Sequence, residues 1–294
     1  MALEGPMKSY YAALLAVVGS MPGPAFAAEP RAIKSVPSIP ALPPIASESV
    51  TTRGGARIWF GTIGAGPPIV LLHGGLSSSR GWGAQVPALV KAGYRVVLVD
   101  SRGHGRSKLG VLPLSYELMA RDVIAVMDRL ALRRAAIIGW SDGAITGLVL
   151  AMLHNRRIER LYAFGANMDQ KGVRGDASDA PILSDVGPRL AADHAELSRD
   201  PKGFAALHKA VRTMQKTQPR YQAAQLASIR GIPVTIGAGA NDEFITKAHP
   251  VYLARIIPGA KLDVIPEAGH FAPWQHSLAF NQRILAFLET KVRR

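Results

Sequence analysis

The sequence predicts an α/β protein with a mainly parallel, doubly wound sheet and a helical cap inserted late in the chain. Three observations carry this. Short continuous apolar runs recur, most of them followed by a Gly-bearing loop. Helix-spaced apolar patterns lie between or after them, as over residues 116–130 and 278–290. Residues 168–226 break the alternation with amphipathic helical patterns and few strand signals. Continuous apolar runs mark strands buried on both faces, and strand–helix alternation puts helices on those faces.

The N-terminus precedes the pattern. Met7-Lys8-Ser9 opens a short basic stretch, residues 10–19 are mostly apolar, and Ala25-Phe26-Ala27 is a small-residue cleavage site. Residues 1–28 therefore read as a secretory signal peptide cut after Ala27 or Ala28, with Met1 or Met7 as the start. The apolar run is short for a membrane span. The expected destination is the periplasm or the exterior. Residues 29–50 carry Pro30, Pro37, Pro40, Pro43 and Pro44 and read as an extended Pro-rich leader. The domain is expected over 51–294.

Within it, residues 57–60 form a first strand. Residues 68–72 run into His73-Gly74-Gly75, 94–99 end at Asp100, and 135–138 lead to Gly139-Trp140-Ser141-Asp142-Gly143. Residues 161–164 end at Gly165-Ala166-Asn167, 233–236 at Gly237-Ala238-Gly239, and 261–265 before Gly269-His270. The helical insertion over 168–226 falls between two of these strands. It reads as a cap over the C-terminal strand ends, where open α/β sheets bind their ligands.

Composition narrows the chemistry. The chain has 294 residues, 48% hydrophobic, with a net charge of +14 and no cysteine. Disulfides, thiol catalysis and Cys-ligated zinc are excluded. The basic residues are scattered without interleaved aromatics, so no nucleic-acid groove is expected. The charge instead implies, at most, weak electrostatic association with anionic surfaces. There is no His-Glu-x-x-His, no P-loop and no complete G-x-G-x-x-G, so no metal or organic cofactor is expected.

Gly139-Trp140-Ser141-Asp142-Gly143 is a G-x-S-x-G pentapeptide between a predicted strand and a predicted helix. A serine on so sharp a turn projects its hydroxyl above the sheet, and the helix N-terminus beneath it favours developing negative charge. A serine hydroxyl needs a base, and the base needs an orienting carboxylate. His270, after the last strand, is the candidate base. Asp242, after the strand before it, is the candidate acid, with Asp169 as the alternative. Glu243 is adjacent but is expected to point elsewhere.

Backbone N–H groups of Gly75 and Asp142 are the candidate oxyanion donors, with Leu76 the alternative to Gly75. Leu76, Trp140 and Phe271 are candidate substrate-binding residues; Trp140, Trp82, Phe271 and Trp274 each read equally as pocket wall or as core. His73 is expected to brace its loop. The Asp142 carboxylate has two open readings: a first-turn carboxylate favoured by the helix dipole, or a pocket group selecting cationic substrates such as aminoacyl esters.

His73-Gly74-Gly75, the run Asp100-Ser101-Arg102-Gly103-His104-Gly105-Arg106-Ser107, and the positions of Ser141, Asp242 and His270 together resemble the α/β-hydrolase superfamily, over residues 57–288. The resemblance implies that the Asp100–Ser107 run is structural and His104 no catalyst. Gly-Trp-Ser-Asp-Gly with Ile145-Thr146 and Gly165-Ala166-Asn167 more narrowly resembles the valacyclovir hydrolase (biphenyl hydrolase-like) branch, whose members cleave esters. The expectation is a secreted or periplasmic serine hydrolase acting on a small-molecule carboxylic ester. Lactonase, amidase, C–C bond hydrolase and perhydrolase activity on the same triad remain alternatives, as does ligand binding without turnover. Superfamily members with an Asp nucleophile, the haloalkane dehalogenases and epoxide hydrolases, are disfavoured by Ser141.

Overall fold

Ile69 and Leu71 lie in one hydrophobic cluster, and Val70 and Leu72 in another. Val96 and Leu98 part from Val97 and Val99 in the same way, as do Ala136 and Ile138 from Ala135 and Ile137. Successive strand residues point to opposite faces. The unbroken apolar runs thus feed two cores, one on each side of a single sheet. Helices cover both sides, as a mainly parallel sheet requires.

The computed structural model describes residues 35–290. In chain order the elements are β1 (Ala46–Thr51), β2 (Arg57–Ile63), β3 (Pro68–Leu72), α1 (Val86–Lys91), β4 (Arg95–Val99) and α2 (Tyr116–Arg129). There follow β5 (Ala135–Trp140), α3 (Asp142–His154), β6 (Ile158–Phe164), α4 (Leu183–Leu197), α5 (Phe204–Thr217) and α6 (Ala223–Leu226). The chain closes with β7 (Val234–Gly239), α7 (Ala248–Ile256), β8 (Lys261–Ile265), α8 (Ala272–Gln275) and α9 (Ser277–Glu289). The sheet has eight strands in the order β1-β2-β4-β3-β5-β6-β7-β8. β1 and β2 run antiparallel to their neighbours and all other pairs are parallel. The doubly wound α/β class expected from the sequence is the class observed.

The insertion between β6 and β7 is helical. On α5, Leu207, Val211 and Met214 are buried at a spacing of one helix face and join the cluster that holds α2 and α3. On α4, Val186 and Leu190 are buried four residues apart and join the opposite cluster. The insertion thus straddles the sheet.

The expected signal peptide and residues 29–34 of the expected leader lie outside the described residues. From Ser35 onward the stretch read as a leader is tied to the domain. Val36 is buried, and its N–H donates to Asp185 of α4 at 2.8 Å. Arg189 of α4 donates to the carbonyls of Val36 and Pro37, both at 2.6 Å. Residues 46–51 then pair with β2 as the edge strand β1. Among the described residues, no helix is long and apolar enough to cross a membrane.

Candidate active site

The turn from β5 into α3 is forced by close backbone approach. Ser141 sits at φ 56° and ψ −124°, a region that costs a non-glycine residue on the order of 1–3 kcal/mol. Its N–H donates to the Phe164 carbonyl at 2.8 Å, which pins the turn to β6. A Cβ on Gly143 would overlap the carbonyl oxygen of Leu72, so only glycine lets α3 start this close to β3. The result is a partly exposed serine at the N-terminus of a buried helix.

The loops after β7 and β8 bring two further side chains to it. His270 Nε2 lies 2.9 Å from Ser141 Oγ. His270 Nδ1 lies 2.9 and 3.1 Å from the Asp242 carboxylate oxygens. Asp242 also accepts from the N–H groups of Phe244 and Ile245 at 2.9 and 2.8 Å. Both His270 and Asp242 are buried. With a carboxylate at Nδ1, the neutral ring carries its proton there and presents a lone pair at Nε2 to the serine hydroxyl. Burial alone would pull the His270 pKa down. The Asp242 carboxylate outweighs it, helped by Glu243 and Asp142, and the net direction is upward from the usual imidazole value. The alternative acid, Asp169, is engaged elsewhere: its carboxylate accepts from the N–H groups of Lys171 and Gly172.

The His73-Gly74-Gly75 loop lies against the same turn. A Cβ on Gly74 would come within 3.2 Å of Ser141 Cβ, and one on Gly75 would overlap Asp142 Oδ2. Asp142 opens α3, so its N–H has no acceptor within the helix. Leu76 follows at φ 61° and packs against both cores. His73 braces the loop, as expected. Its Nε2 accepts from Ser101 N–H at 3.0 Å, which leaves Nδ1–H to donate to the Gly74 carbonyl at 2.7 Å. Burial lowers its pKa and keeps it neutral, and burial together with His73 pushes His104 down to about 3.

Trp140, a candidate for pocket wall or core, is 2% exposed. Its indole N–H donates to the His270 carbonyl at 2.8 Å, and its ring packs edge-on against Trp82, Phe271 and Trp274. Trp140 therefore supports the histidine from below, because alternation along β5 turns it into the core. Trp82 and Trp274 are buried in the same cluster. Phe271 is 7% exposed and stands beside His270, ring centroids 5.7 Å apart.

The Asp142 carboxylate is buried and fully engaged. Tyr116 Oη donates to Oδ1 at 2.8 Å, and Gln215 Nε2 lies 3.2 and 3.1 Å from the two oxygens. Burial raises its pKa, partly offset by these neutral donors. Sequence reasoning missed Tyr116 and Gln215, which lie on distant helices. It also misplaced Glu243, whose Oε2 accepts from the His270 N–H at 2.8 Å. Phe244 was missed as well; its ring centroid is 4.8 Å from that of His270.

Among the described residues, no group of three or more His, Asp or Glu side chains is placed to hold a metal. A groove of about 840 Å³ between residues 38–47 and α4, lined in part by Trp59, Arg80, Arg106 and Arg189, contains none of the candidate site residues.

The comparisons agree with this geometry at the level of family. Residues 69–283 match the model of the Alpha/beta hydrolase family. The 2-hydroxy-6-oxononadienedioate/2-hydroxy-6-oxononatrienedioate hydrolase of Comamonas testosteroni is 28% identical over 265 residues, covering 79% of this chain and 91% of that protein. The putative carbamate hydrolase RutD of Caulobacter sp. (strain K31) is 29% identical over 243 residues, 74% of this chain and 90% of that one. Among solved structures, the enol-lactonase from Burkholderia xenovorans LB400 superposes with a TM-score of 0.65 at 25% identity, over 82% of this chain and 99% of that one. The chain belongs to the Alpha/beta hydrolase family and is a hydrolase.

Proposed function

We propose that this protein is a serine hydrolase that cleaves small-molecule carboxylic esters through an acyl-enzyme. The observation that carries the reading is the continuous hydrogen-bonded chain from Ser141 Oγ through His270 to Asp242, with 2.9 Å at each junction. Ser141 Oγ attacks the ester carbonyl carbon as its proton passes to His270 Nε2. The bond to the leaving alcohol breaks as His270 returns that proton to the alcohol oxygen. Water, deprotonated by His270, then attacks the acyl carbon, releases the acid and restores Ser141. Asp242 holds the tautomer and favours the imidazolium formed in each step. The N–H groups of Gly75 and Asp142 receive the oxyanion, with Leu76 the alternative to Gly75. Leu76 and Phe271 flank the substrate.

The Gly-Trp-Ser-Asp-Gly elbow supports a place near the valacyclovir hydrolase branch. Selection of aminoacyl esters by Asp142 would go with that place. The hold of Tyr116 and Gln215 on the carboxylate favours the plainer role at the helix N-terminus, and so neutral esters.

A second reading, cleavage of a C–C bond on the same triad, is favoured by relatives such as the 2-hydroxy-6-oxononadienedioate/2-hydroxy-6-oxononatrienedioate hydrolase of Comamonas testosteroni. The deciding experiment is hydrolysis of a panel by the purified protein and by Ser141→Ala. The panel holds neutral esters of rising acyl length, aminoacyl esters, lactones and a 2-hydroxy-6-oxo dienoate. Ester turnover that falls by about 10³-fold or more in the mutant supports the first reading. Turnover of the dienoate alone replaces it with the second, and equal rates in both proteins refute both.

We propose further that the protein acts after export, on the strength of Met7-Lys8, the apolar run behind it and Ala25-Phe26-Ala27. N-terminal sequencing of the protein from the producing cell should begin at Ala28 or Glu29. The net charge of +14 supports weak, salt-sensitive association with anionic surfaces. Retention on anionic vesicles across a salt series tests it.

A further inference from the structure

His270 lies in a turn between β8 and α8, where no strand or helix ladder holds its backbone. Side chains take over that task. Trp140 donates to its carbonyl at 2.8 Å, and Glu243 Oε2 accepts from its N–H at 2.8 Å. The consecutive residues Asp242, Glu243 and Phe244 each meet His270: at the ring nitrogen, at the main-chain N–H, and through a tilted ring contact with centroids 4.8 Å apart.

Two features show that Glu243 is built into this position. The first is Gly269. A Cβ there would stand 2.6 Å from both Glu243 carboxylate oxygens, so the loop before the histidine is shaped around the carboxylate. The second is the other oxygen, Oε1, which is buried with no hydrogen-bond partner among the described residues. An unsatisfied buried carboxylate oxygen is destabilising, so its retention beside His270 calls for an explanation.

From this geometry we propose that Glu243 is a positioning residue for the base, a second carboxylate that grips His270 by its main chain and supplies negative charge to the imidazolium. The proposal rests on the reading of His270 as the proton acceptor of Ser141. A charged acceptor makes a stronger bond to an N–H than a neutral one, and its field acts on the ring at no further reorganisation. Asp242 and Asp142 add negative charge at His270. Asp242 lies beside Glu243, and Arg174, ion-paired with Asp176 at 2.7 Å, is a nearby cation. Burial raises the Glu243 carboxyl, as does Asp242, while the His270 N–H and ring oppose the rise.

The test combines kinetics with a direct titration. Glu243→Gln keeps the size and one acceptor oxygen but removes the charge; Glu243→Ala removes the acceptor too. The His270 ring resonances, assigned by their loss in His270→Ala, are followed by NMR against pH in wild type and Glu243→Gln. Removing a nearby opposite charge should lower the His270 pKa by about half a unit or more. The acidic limb of kcat/KM should move down with it, kcat should fall several-fold and KM should stay within twofold. Glu243→Ala should lose more kcat than Glu243→Gln, and if it fails to fold, Glu243→Gln alone decides. An unchanged His270 titration and an unchanged pH profile in Glu243→Gln overturn the proposal while Ser141-dependent turnover in wild type upholds the hydrolase reading. Absence of turnover in wild type defeats the function instead, and the titration then decides whether Glu243 acts on His270.

Discussion

Gln215, near the end of α5, reaches both carboxylate oxygens of Asp142, the residue after Ser141, at 3.2 and 3.1 Å. This contact joins the helical insertion to the start of α3. The loop of Gly75 lies against the same carboxylate, with no room there for a side chain. Replacing Gln215 by Leu leaves the buried carboxylate with Tyr116 as its remaining side-chain donor. Loss of a partner to a buried charged group should lower stability by about 1–3 kcal/mol. Because α5 is then less firmly held, KM should rise more than kcat falls. Urea unfolding and steady-state kinetics of Gln215→Leu check both. A variant with wild-type stability and KM would show that the contact does not hold the insertion.

The charge around His270 sets the pH profile. The base must be neutral to accept the serine proton, and its pKa is raised because Asp242, Glu243 and Asp142 outweigh burial. Activity should therefore be present above that raised pKa and lost as pH falls through it. The acidic limb of kcat/KM should lie above the ordinary imidazole value of 6.5. Replacing Asp242 by Asn removes the largest opposing influence and disrupts the tautomer. It should lower kcat by about 10⁴-fold, by analogy with the Ser-His-Asp template. A pH profile with its limb below 6 would contradict the charge balance described for the site.

Gly143 tests the turn itself. Its missing Cβ is what allows α3 to abut the Leu72 carbonyl, and the obstructing atom is backbone that cannot rotate away. Gly143→Ala should destabilise the protein by about 3 kcal/mol or more, at the upper end of overpacking effects. The expected readout is a large fall in Tm or loss of soluble protein. A soluble variant with unchanged Tm would mean that the turn is looser than the contact implies.

Ser141, Asp242 and His270 were legible because each follows a strand, and parallel strands deliver their C-terminal loops to one edge. Chain order then selected them. Directions of side chains were less legible. Asp142 meets Gln215 across 73 residues of sequence, and only the packing of α5 through Leu207, Val211 and Met214 brings the two together. Glu243 turns toward the chain of His270 because Gly269 leaves it space, a condition invisible until β7 and β8 are paired. Sequence left Trp140 open between pocket wall and core; it stands one step before Ser141 on a strand buried at every position, and the core is where it lies. The edge strand β1 escaped notice since Ala46-Ser47-Glu48-Ser49-Val50-Thr51 has no apolar alternation; backbone pairing with β2 carries it.

The Asp100–Ser107 run offers a way to separate structural from chemical roles near the site. Arg102 is fully buried and makes a paired contact with Asp122 of α2, Nε to Oδ2 at 2.8 Å and Nη2 to Oδ1 at 2.7 Å. The neighbouring Ser101 N–H donates to His73, so this knot also steadies the loop that holds Gly75. Asp122→Ala strands a buried guanidinium, and breaking one partner of such a pair costs about 3–5 kcal/mol. Arg102 keeps weaker bonds to Thr52 and the Arg53 and Leu109 carbonyls, which is why the lower part of that range is expected. If the run is purely structural, Asp122→Ala should lower Tm strongly and leave kcat within a few-fold of wild type well below its Tm. A fall in kcat comparable to that of Ser141→Ala in a folded variant would instead place the run in the chemistry.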